Sequence, residues 1–450
     1  MPDKNFHIIT FGCQMNVHDS RWLAGALAAR GFVQTPLEQA RIVILNTCSV
    51  REKPEQKVKT ALGRVQSLTG GDPDVLVAVT GCVAQQLGQK LFEGNGQVRL
   101  VAGSDGINDV PGAIERLLGE PRLRLSLLDF TSRYVEREPA GHSRSHPVAY
   151  VNIMQGCDNF CAYCIVPYTR GRQKSRAATA ILDECRALLG QGAREITLLG
   201  QNVNAYGRDK SGDGTSFADI LAQVAALPGL ERLRYVTPHP KDMKPADIEA
   251  FSSLAPLCPR LHLPVQAGAD RVLARMGRKY DSQDFLDLVA ILRKTCPDLA
   301  LSTDIIVGFP GESEEDFDDT LEMVKTCGFM SAFSFCYSDR PGTRAALFPD
   351  KVAPERKQER LLRLQALQEE LSARWLNDRV GQKTCLLIET RSPRQLGGEG
   401  ETLWQGRDPY GALAHVVLPS GADHTGRMVP VVITRAGKHS LSARLEGDIW

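Results

Sequence analysis

The stretch Cys157-Asp158-Asn159-Phe160-Cys161-Ala162-Tyr163-Cys164 places three cysteines within eight residues. It follows a predicted strand near 149–155, in a region where strand and helix patterns alternate. Three thiolates at this spacing can hold three corners of a four-iron cluster and leave the fourth iron open. A structural zinc site needs four ligands, and no fourth Cys or His lies nearby in the sequence. The stretch therefore predicts an iron–sulfur cluster with one open iron.

The sequence around this stretch predicts a βα barrel. Predicted strands near 149–155, 195–200, 232–236, 260–265, 300–307 and 331–337 alternate with helices. Six such repeats are enough for a partial or complete barrel, in which functional residues sit at the carboxyl ends of the strands. A helix then closes the unit with one apolar face, made of Leu361, Leu364, Leu367, Leu371 and Trp375.

An open parallel sheet is predicted before the barrel. Strands at 6–11, 41–46, 75–80 and 98–102 each lead into a helical pattern. Three cysteines, Cys13, Cys48 and Cys82, lie just beyond the first three of these strands. Ligands of open parallel sheets bind at this edge, so the three thiolates are expected to converge on a second three-thiolate cluster. The alternative is that each is an ordinary buried cysteine.

The rest of the chain predicts a linker and a small third domain. Residues 131–147 are polar and show neither strand nor helix periodicity. Short strands at 383–389, 413–418 and 428–434, separated by Gly and Pro, predict an all-β barrel. We therefore expect an α/β protein with an N-terminal domain at 1–130, a linker at 131–147, a βα barrel at 148–375 and a β barrel at 376–450.

Composition excludes several classes of protein. The 54 Lys and Arg against 53 Asp and Glu give a net charge of +1, so any site for a polyanion must be local. No apolar run approaches the roughly 18 residues of a membrane span, and the first five residues do not resemble a signal peptide. We therefore expect a cytoplasmic protein without a membrane partner. Its 12 cysteines are too few for a disulfide-built chain. Six of them receive no role: Cys185, Cys258, Cys296, Cys327, Cys336 and Cys385.

The C-x3-C-x2-C loop at the top of a predicted βα barrel resembles the radical S-adenosylmethionine (SAM) superfamily. With three more cysteines before it and a TRAM-like β barrel after it, the whole chain resembles the methylthiotransferases. The resemblance implies two [4Fe-4S] clusters, a SAM-cleaving one on Cys157, Cys161 and Cys164 and an auxiliary one on the three N-terminal cysteines. It also implies two SAM molecules per product, one as methyl donor and one as radical source, and no catalytic amino-acid side chain.

Two segments narrow the substrate by resemblance. Gly12-Cys13-Gln14-Met15-Asn16 and Cys48-Ser49-Val50-Arg51-Glu52-Lys53 resemble the branch that converts N6-(dimethylallyl)adenosine at position 37 of tRNA to its 2-methylthio derivative. The first alternative is the same chemistry on a ribosomal protein side chain or on threonylcarbamoyl-adenosine. A non-catalytic iron–sulfur electron carrier is the other alternative, although carriers usually ligate each cluster with four cysteines.

The resemblance also implies partners. The substrate would be a tRNA anticodon loop, and electrons would come from a flavodoxin-type reductant. Iron–sulfur assembly or sulfur-delivery proteins would load the clusters. We expect the chain to act as a monomer.

Several side chains are candidate cofactor contacts by resemblance. Tyr163 matches the aromatic position near the adenine of SAM, with plain packing as the alternative. Gln201 and Asn202 end the second barrel strand, where related enzymes contact the methionyl amine. Gly308 and Pro310 lie in a segment that resembles the glycine-rich adenine side.

Two regions are candidates for RNA contact. Arg170, Arg172, Lys174 and Arg176 put four positive charges into seven residues just beyond the cluster loop. They are expected to hold phosphate or carboxylate groups, with a solvated basic face as the alternative. In the C-terminal domain, Arg407 with Trp404 and Tyr410 are candidates for stacking on bases. The sequence there, Gly406 to Gly411, departs from the family pattern of a threonine and an Asn-rich stretch.

Overall fold

The computed structural model describes residues 4–49, 54–137, 146–210, 212–393 and 400–450. They form an open parallel sheet, a partial βα barrel and a closed β barrel, in chain order, which confirms the predicted fold class. Part of the predicted linker, 138–145, lies outside the described residues, and so do positions 50–53 of the segment that begins at Cys48. In the described parts of the chain, no helix is long and apolar enough to span a membrane.

The first unit is a parallel sheet in the spatial order β2-β1-β3-β4-β5-β6. Its strands are β1 (Asn5–Thr10), β2 (Val33–Gln34), β3 (Ile42–Thr47), β4 (Leu76–Gly81), β5 (Val98–Ala102) and β6 (Leu125–Leu127). Its helices are α1 (Gln14–Ala28), α2 (Pro54–Leu68), α3 (Cys82–Leu87) and α4 (Val110–Gly119). Ile42 and Ile44 pack on one face of the sheet, and Val43 and Leu45 pack on the other. Burial on both faces explains why β3 reads as a continuous apolar run.

The second unit is a partial barrel of parallel strands. They are β7 (Val148–Asn152), β10 (Glu195–Leu199), β11 (Arg232–Tyr235), β12 (Arg260–His262), β13 (Ala300–Val307) and β14 (Ser331–Cys336), with a small hairpin of β8 (Met154–Gln155) and β9 (Lys174–Ser175) after β7. The order β11-β10-β7 forms one sheet and β12-β13-β14 the other. All six predicted barrel strands are confirmed.

Helices α5 to α12 belong to this second unit. They are α5 (Val166–Thr169), α6 (Ala178–Gly190), α7 (Phe217–Ala225), α8 (Pro245–Ser253), α9 (Asp270–Met276), α10 (Ser282–Thr295), α11 (Glu314–Cys327) and α12 (Pro354–Asn377). Reciprocal side-chain and backbone hydrogen bonds mark the first turns of α7, α10 and α11. In α11, Ser313 accepts from the Asp316 backbone, and the Asp316 carboxylate accepts from the Ser313 backbone.

The third unit is a closed barrel of β15 (Lys383–Arg391), β16 (Glu401–Arg407), β17 (Leu413–Pro419), β18 (Met428–Ala436) and β19 (Leu441–Leu445). The sequence prediction located β15, β17 and β18 but missed β16 and β19. Both missed strands mix polar residues with buried ones, and Trp404 of β16 lies in the barrel core. Trp404 is 1% exposed, so its predicted role in base stacking is wrong.

The third unit docks onto the amino-terminal side of strand β11. Arg232, its first residue, donates to the backbone carbonyls of Arg407 and Cys385, both at 2.7 Å. Arg234 donates to the carbonyl of Pro409, also at 2.7 Å. The Gly406 to Gly411 segment, which departs from the family pattern, therefore contributes to a contact within the protein. The carboxyl ends of the barrel strands, where functional groups are expected, lie at the opposite end of the strands from this contact.

Candidate functional site

The three N-terminal cysteines follow neighbouring strands. Cys13 comes after β1, Cys48 directly after β3, and Cys82 directly after β4. These strands are adjacent in the sheet, so their carboxyl ends bring the three cysteines to one edge. Buried amides join the start of α1 to the end of β3, because Asn16 Nδ2 donates to Asn46 Oδ1 at 2.9 Å and to the Thr47 carbonyl at 3.0 Å.

Two glycines permit this close approach. Gly12 precedes Cys13 with φ +112°, and a Cβ there would lie 2.2 Å from the Cβ of Cys48. Gly81 precedes Cys82 with φ +89°, and a Cβ there would lie 2.4 Å from the Thr47 carbonyl oxygen. Both positions combine a left-handed backbone with no room for a side chain, so glycine is required beside two of the three cysteines.

The second cysteine set lies on the loop between β8 and α5. Phe160, between the first two cysteines, has φ +48°, which is uncommon for a bulky residue. The Ala162 backbone donates to the Met276 carbonyl at 2.8 Å and accepts from the Ala345 backbone at 2.8 Å. The loop conformation is thus fixed by backbone contacts to distant parts of the barrel.

Both cysteine sets line one cavity of about 340 Å³ between the first two units. Cys13, Cys48 and Cys82 come from the sheet, and Cys157, Cys161 and Cys164 come from the barrel. The lining also includes Tyr163, Gln201, His239, Gln266, Asp304 and Cys336. The sequence predicts two separate cysteine clusters, and in the structure all six cysteines line the same cavity.

The cysteine arrangement is compatible with iron–sulfur clusters. Among the described residues, no three His, Cys, Asp or Glu side chains are grouped closely enough for a single metal ion. A four-iron cluster takes separate thiolates on separate irons, so its ligands surround a volume and do not meet at one point. Two sets of three thiols around one cavity satisfy this requirement.

The two sets differ in electrostatics. A hydrogen bond with Cys48 lowers the pKa of Cys13 to about 6, with burial opposing this and Arg170 adding to it. Burial raises the pKa of Cys157 to about 11 and that of Cys164 to about 12. Near neutral pH, the Cys157 and Cys164 thiols therefore need a compensating positive charge before they become thiolate ligands.

His239 is a cavity residue that the sequence prediction missed. Its backbone N–H donates to Asn204 Oδ1 at 2.9 Å, and its carbonyl accepts from Asn204 Nδ2 at 3.1 Å. Both ring nitrogens are buried without a hydrogen-bond partner among the described residues. Burial lowers the pKa of His239 to about 2, so the ring is neutral and can donate one hydrogen bond to a ligand and accept another. Its position just beyond β11 was the available sequence signal.

The predicted cofactor contacts fall into two groups. Tyr163 and Gln201 line the cavity, and Gln201 Oε1 accepts from the Gly156 backbone at 2.5 Å. Asn202 is outside the cavity lining and donates to Asp242 Oδ2 at 2.8 Å. Gly308 and Pro310 are also outside the lining. The Gly308 backbone donates to Glu312 at 2.6 Å, which is a contact within the barrel.

The predicted basic face is mostly buried, and two of its four cations, Arg170 and Lys174, pair with carboxylates of the first unit. Arg170, Lys174 and Arg176 are buried, and only Arg172 is exposed. Lys174 Nζ lies 2.5 Å from Asp105 of the first unit, and Arg176 pairs with Glu136 and Glu184. The alternative of a solvated basic face is therefore wrong for three of the four cations, which are buried against carboxylates of the protein itself. Arg170 still lines the cavity, and a role of these residues in holding a ligand stays a prediction. Arg172 pairs with Asp158 at 2.7 Å.

The other RNA candidates are in the third unit. Arg407 is partly exposed and pairs with Glu389 at 3.2 Å. Tyr410 lies under the guanidinium of Arg379 at 4.0 Å and against the ring of Trp375. RNA contact by Arg172, Arg407 or Tyr410 remains a prediction.

Replacing Lys174 by methionine is expected to destabilise the protein by about 3–5 kcal/mol, because it leaves the buried carboxylate of Asp105 with hydrogen bonds from Thr131 and Gln155 but without its cationic partner. Arg172→Met is the matched control, since it removes an exposed charge from the same segment. Chemical denaturation of the two variants measures the difference. Equal stability of both, with a shared loss of tRNA affinity, would contradict the interface and favour an RNA-binding face.

The ion pair of His18 with Glu184, at 3.4 Å, should make this interface pH-dependent. Burial lowers the pKa of His18, but the carboxylate of Asp19, 3.8 Å from the ring, and that of Glu184, hydrogen-bonded to it, outweigh burial and the nearby Arg137 and raise the pKa above its usual value. The stabilisation is then complete below the unfolded pKa and is lost as pH rises through the folded pKa. Unfolding measured from pH 6 to 9 should show this loss in the wild type and a flatter profile in His18→Gln. Parallel profiles would exclude His18 as the cause.

Comparison with known proteins agrees with this architecture. The profile of the Radical SAM superfamily matches residues 151–324, and that of Uncharacterized protein family UPF0004 matches residues 5–103. The tRNA-2-methylthio-N(6)-dimethylallyladenosine synthase of Nitratidesulfovibrio vulgaris strain DP4 is 60% identical over 451 residues, with 100% of both chains covered. The chain belongs to this synthase family. A family member from Oleidesulfovibrio alaskensis is 55% identical, again over 100% of both chains.

A solved structure shows the same fold class as this synthase family member. The radical S-adenosylmethionine methyltransferase TsrM from Kitasatospora setae, with cobalamin and a [4Fe-4S] cluster bound, aligns with a TM-score of 0.56 at 15% identity. The alignment covers 77% of this chain and 74% of that chain. At this identity the likeness concerns the fold alone.

Proposed function

We propose that this protein attaches a methylthio group to C2 of N6-dimethylallyladenosine at position 37 of tRNA. It belongs to a family whose members are named for the synthesis of this nucleoside. The observation that carries the proposal is the convergence of two three-cysteine sets on one cavity. An electron carrier has no need of two incompletely ligated clusters around a space that a substrate can enter.

We assign one [4Fe-4S] cluster and SAM to Cys157, Cys161 and Cys164, and a second [4Fe-4S] cluster to Cys13, Cys48 and Cys82. When bound, these groups supply the radical that activates the C2–H bond, the sulfur and the methyl group. The protein has to hold them in register and keep water out. The position of both cysteine sets in the wall of one cavity, with two cysteines of each set buried and the third partly buried, serves both purposes.

The chain's own residues position the ligands. Gln201 is held by the Gly156 backbone beside Cys157, so its side chain is oriented before any ligand binds. Tyr163 offers an aromatic surface between two cysteines of the barrel set. Asn202 acts indirectly, because it holds Asp242, which also accepts from Asn159 of the cluster loop at 3.4 Å. Gly308 and Pro310 shape the end of β13 without reaching the cavity lining.

The division of labour follows the three units. Residues 1–130 would carry the auxiliary cluster, 148–375 the SAM-cleaving cluster, and 376–450 a TRAM domain for contact with the tRNA. An external reductant of the flavodoxin type and iron–sulfur assembly or sulfur-delivery proteins complete the system, and the chain would act as a monomer.

Mass spectrometry of nucleosides gives the direct test. The reconstituted protein is incubated without oxygen with SAM, sulfide, a strong reductant and tRNA that carries dimethylallyl-adenosine. We expect the 2-methylthio nucleoside to appear. Accumulation of 5'-deoxyadenosine without that product, on this tRNA and after confirmed loading of both clusters, would reject the substrate and point to a protein or another modified adenosine.

A further inference from the structure

Arg278 is a buried cation without a carboxylate partner among the described residues. The residue is 4% exposed, and the charged or ionisable neighbours that act on it most are Tyr163, Tyr280 and Cys161. Other buried cations near the cavity have an anion, as Arg170 has Asp19 and Lys174 has Asp105. A buried charge of this kind is costly unless an anion compensates it.

Neutral groups hold the Arg278 guanidinium in one orientation. Its Nη2 donates to the Pro264 carbonyl at 2.7 Å, and its Nε donates to Tyr280 Oη at 2.8 Å. These two anchors leave Nη1 directed at Cys161 Sγ, at 3.7 Å, and at Tyr163 Oη, at 3.5 Å. The side chain therefore carries its charge to one specific cysteine of the barrel set.

The cluster assigned to this cysteine set would supply the negative charge that Arg278 lacks. Three thiolate ligands outweigh the positive charge of an oxidised four-iron core, so the assembly is a net anion. One-electron reduction adds a further negative charge. A fixed cation beside the ligand sulfur favours the more negative state, and a hydrogen bond to that sulfur acts in the same direction.

We propose that Arg278 is the counter-ion of the cluster on Cys157, Cys161 and Cys164, and that it raises the reduction potential of this cluster. The inference rests on the proposed function, because it requires a cluster at these cysteines. Arg278 is a positioning and tuning residue in this role, through its hydrogen bond to Cys161. It makes the reduced state accessible to a biological electron donor.

Arg170 provides an internal comparison at the other cysteine set. It is also buried and lines the cavity with Cys13 and Cys82. However, its Nη2 lies 3.8 Å from Asp19 Oδ2, so part of its charge is already balanced. Removing Arg278 should have the larger effect on a cluster potential, since no carboxylate among the described residues pairs with it.

The test is a redox titration followed by electron paramagnetic resonance. The full-length chain carries Cys13→Ala, Cys48→Ala and Cys82→Ala, so that only the barrel cluster contributes. In this background, Arg278→Gln should lower the midpoint potential by at least the equivalent of a tenfold change in the reduction equilibrium, which is about 59 mV for one electron. Arg278→Lys, which keeps the charge, should stay closer to the parent.

Lys279→Gln is the matched control, because it removes one positive charge from the adjacent, exposed residue. Water and salt screen that charge, so the potential should not move. An unchanged potential in Arg278→Gln would overturn the inference. Loss of the cluster in Arg278→Gln with retention in Arg278→Lys would support it, while loss in both would overturn it, since charge would then not be the cause. Absence of any cluster in the parent, shown by iron and sulfide analysis, would instead reject the proposed cysteine assignment.

Discussion

Replacing Cys161 by alanine is expected to abolish both the methylthio product and the cleavage of SAM to 5'-deoxyadenosine. Cys161 is the central member of the barrel set and the cysteine contacted by Arg278. Two remaining thiols leave a second corner of the cluster without a protein ligand, so the cluster should not persist. Iron analysis, 5'-deoxyadenosine assay and nucleoside mass spectrometry on the same preparation measure the three effects.

The fold and the affinity for tRNA should survive this substitution. Cys161 is buried in the cavity wall, and alanine is smaller, so no clash arises. Cys296→Ala is the control, because Cys296 lies at the end of α10 and outside the cavity. It should keep iron, SAM cleavage and product. Substantial SAM cleavage by Cys161→Ala would show that the barrel set is not the SAM-cleaving site.

The strands of the barrel were predictable because each is a local pattern. The segment 195–200 and the strand Glu195–Leu199 agree within one residue, and β13 spans 300–307 as expected. Parallel strands that are buried on both faces appear in the sequence as short apolar runs between turns. Strands β16 and β19 contain no continuous apolar run of this kind, and the sequence prediction missed them.

The partners of charged residues were not predictable in this way. Arg170 to Arg176 resembles a basic patch, but Lys174 pairs with a carboxylate 69 residues earlier in the chain. A pattern of like charges cannot show whether distant carboxylates cover it. The same limit applies to Arg278, since no motif distinguishes it and its importance comes only from burial beside Cys161.

The convergence of the two cysteine sets also lay beyond the sequence. Because the cysteines follow the carboxyl ends of predicted strands, the sequence indicated only that the three cysteines of each set would lie close to one another. That both sets face one cavity depends on the docking of the first two units, through pairs such as Lys174 with Asp105 and Arg170 with Asp19. Residues read as RNA contacts are thus among those that bring the two sites together.

Replacing Cys82 by alanine should separate the two cysteine sets by function. Cys82 begins α3 and is buried, so alanine fits its position without a clash. The substitution removes one ligand of the N-terminal set and leaves the barrel set intact. We expect no detectable methylthio product, iron reduced to the content of one cluster, and continued reductive cleavage of SAM.

This outcome follows from the two roles that the proposed reaction requires. In that reaction the barrel set serves the activation of the C2–H bond, whereas the N-terminal set serves the supply of sulfur. Loss of the N-terminal set should therefore leave SAM cleavage in place and stop formation of the methylthio nucleoside. The comparison with Cys161→Ala is essential, because both variants lose product but only one should lose 5'-deoxyadenosine. If Cys82→Ala loses SAM cleavage as well while the barrel cluster remains loaded, the two sets do not act separately. If it still forms the methylthio nucleoside, the N-terminal set is not the source of sulfur.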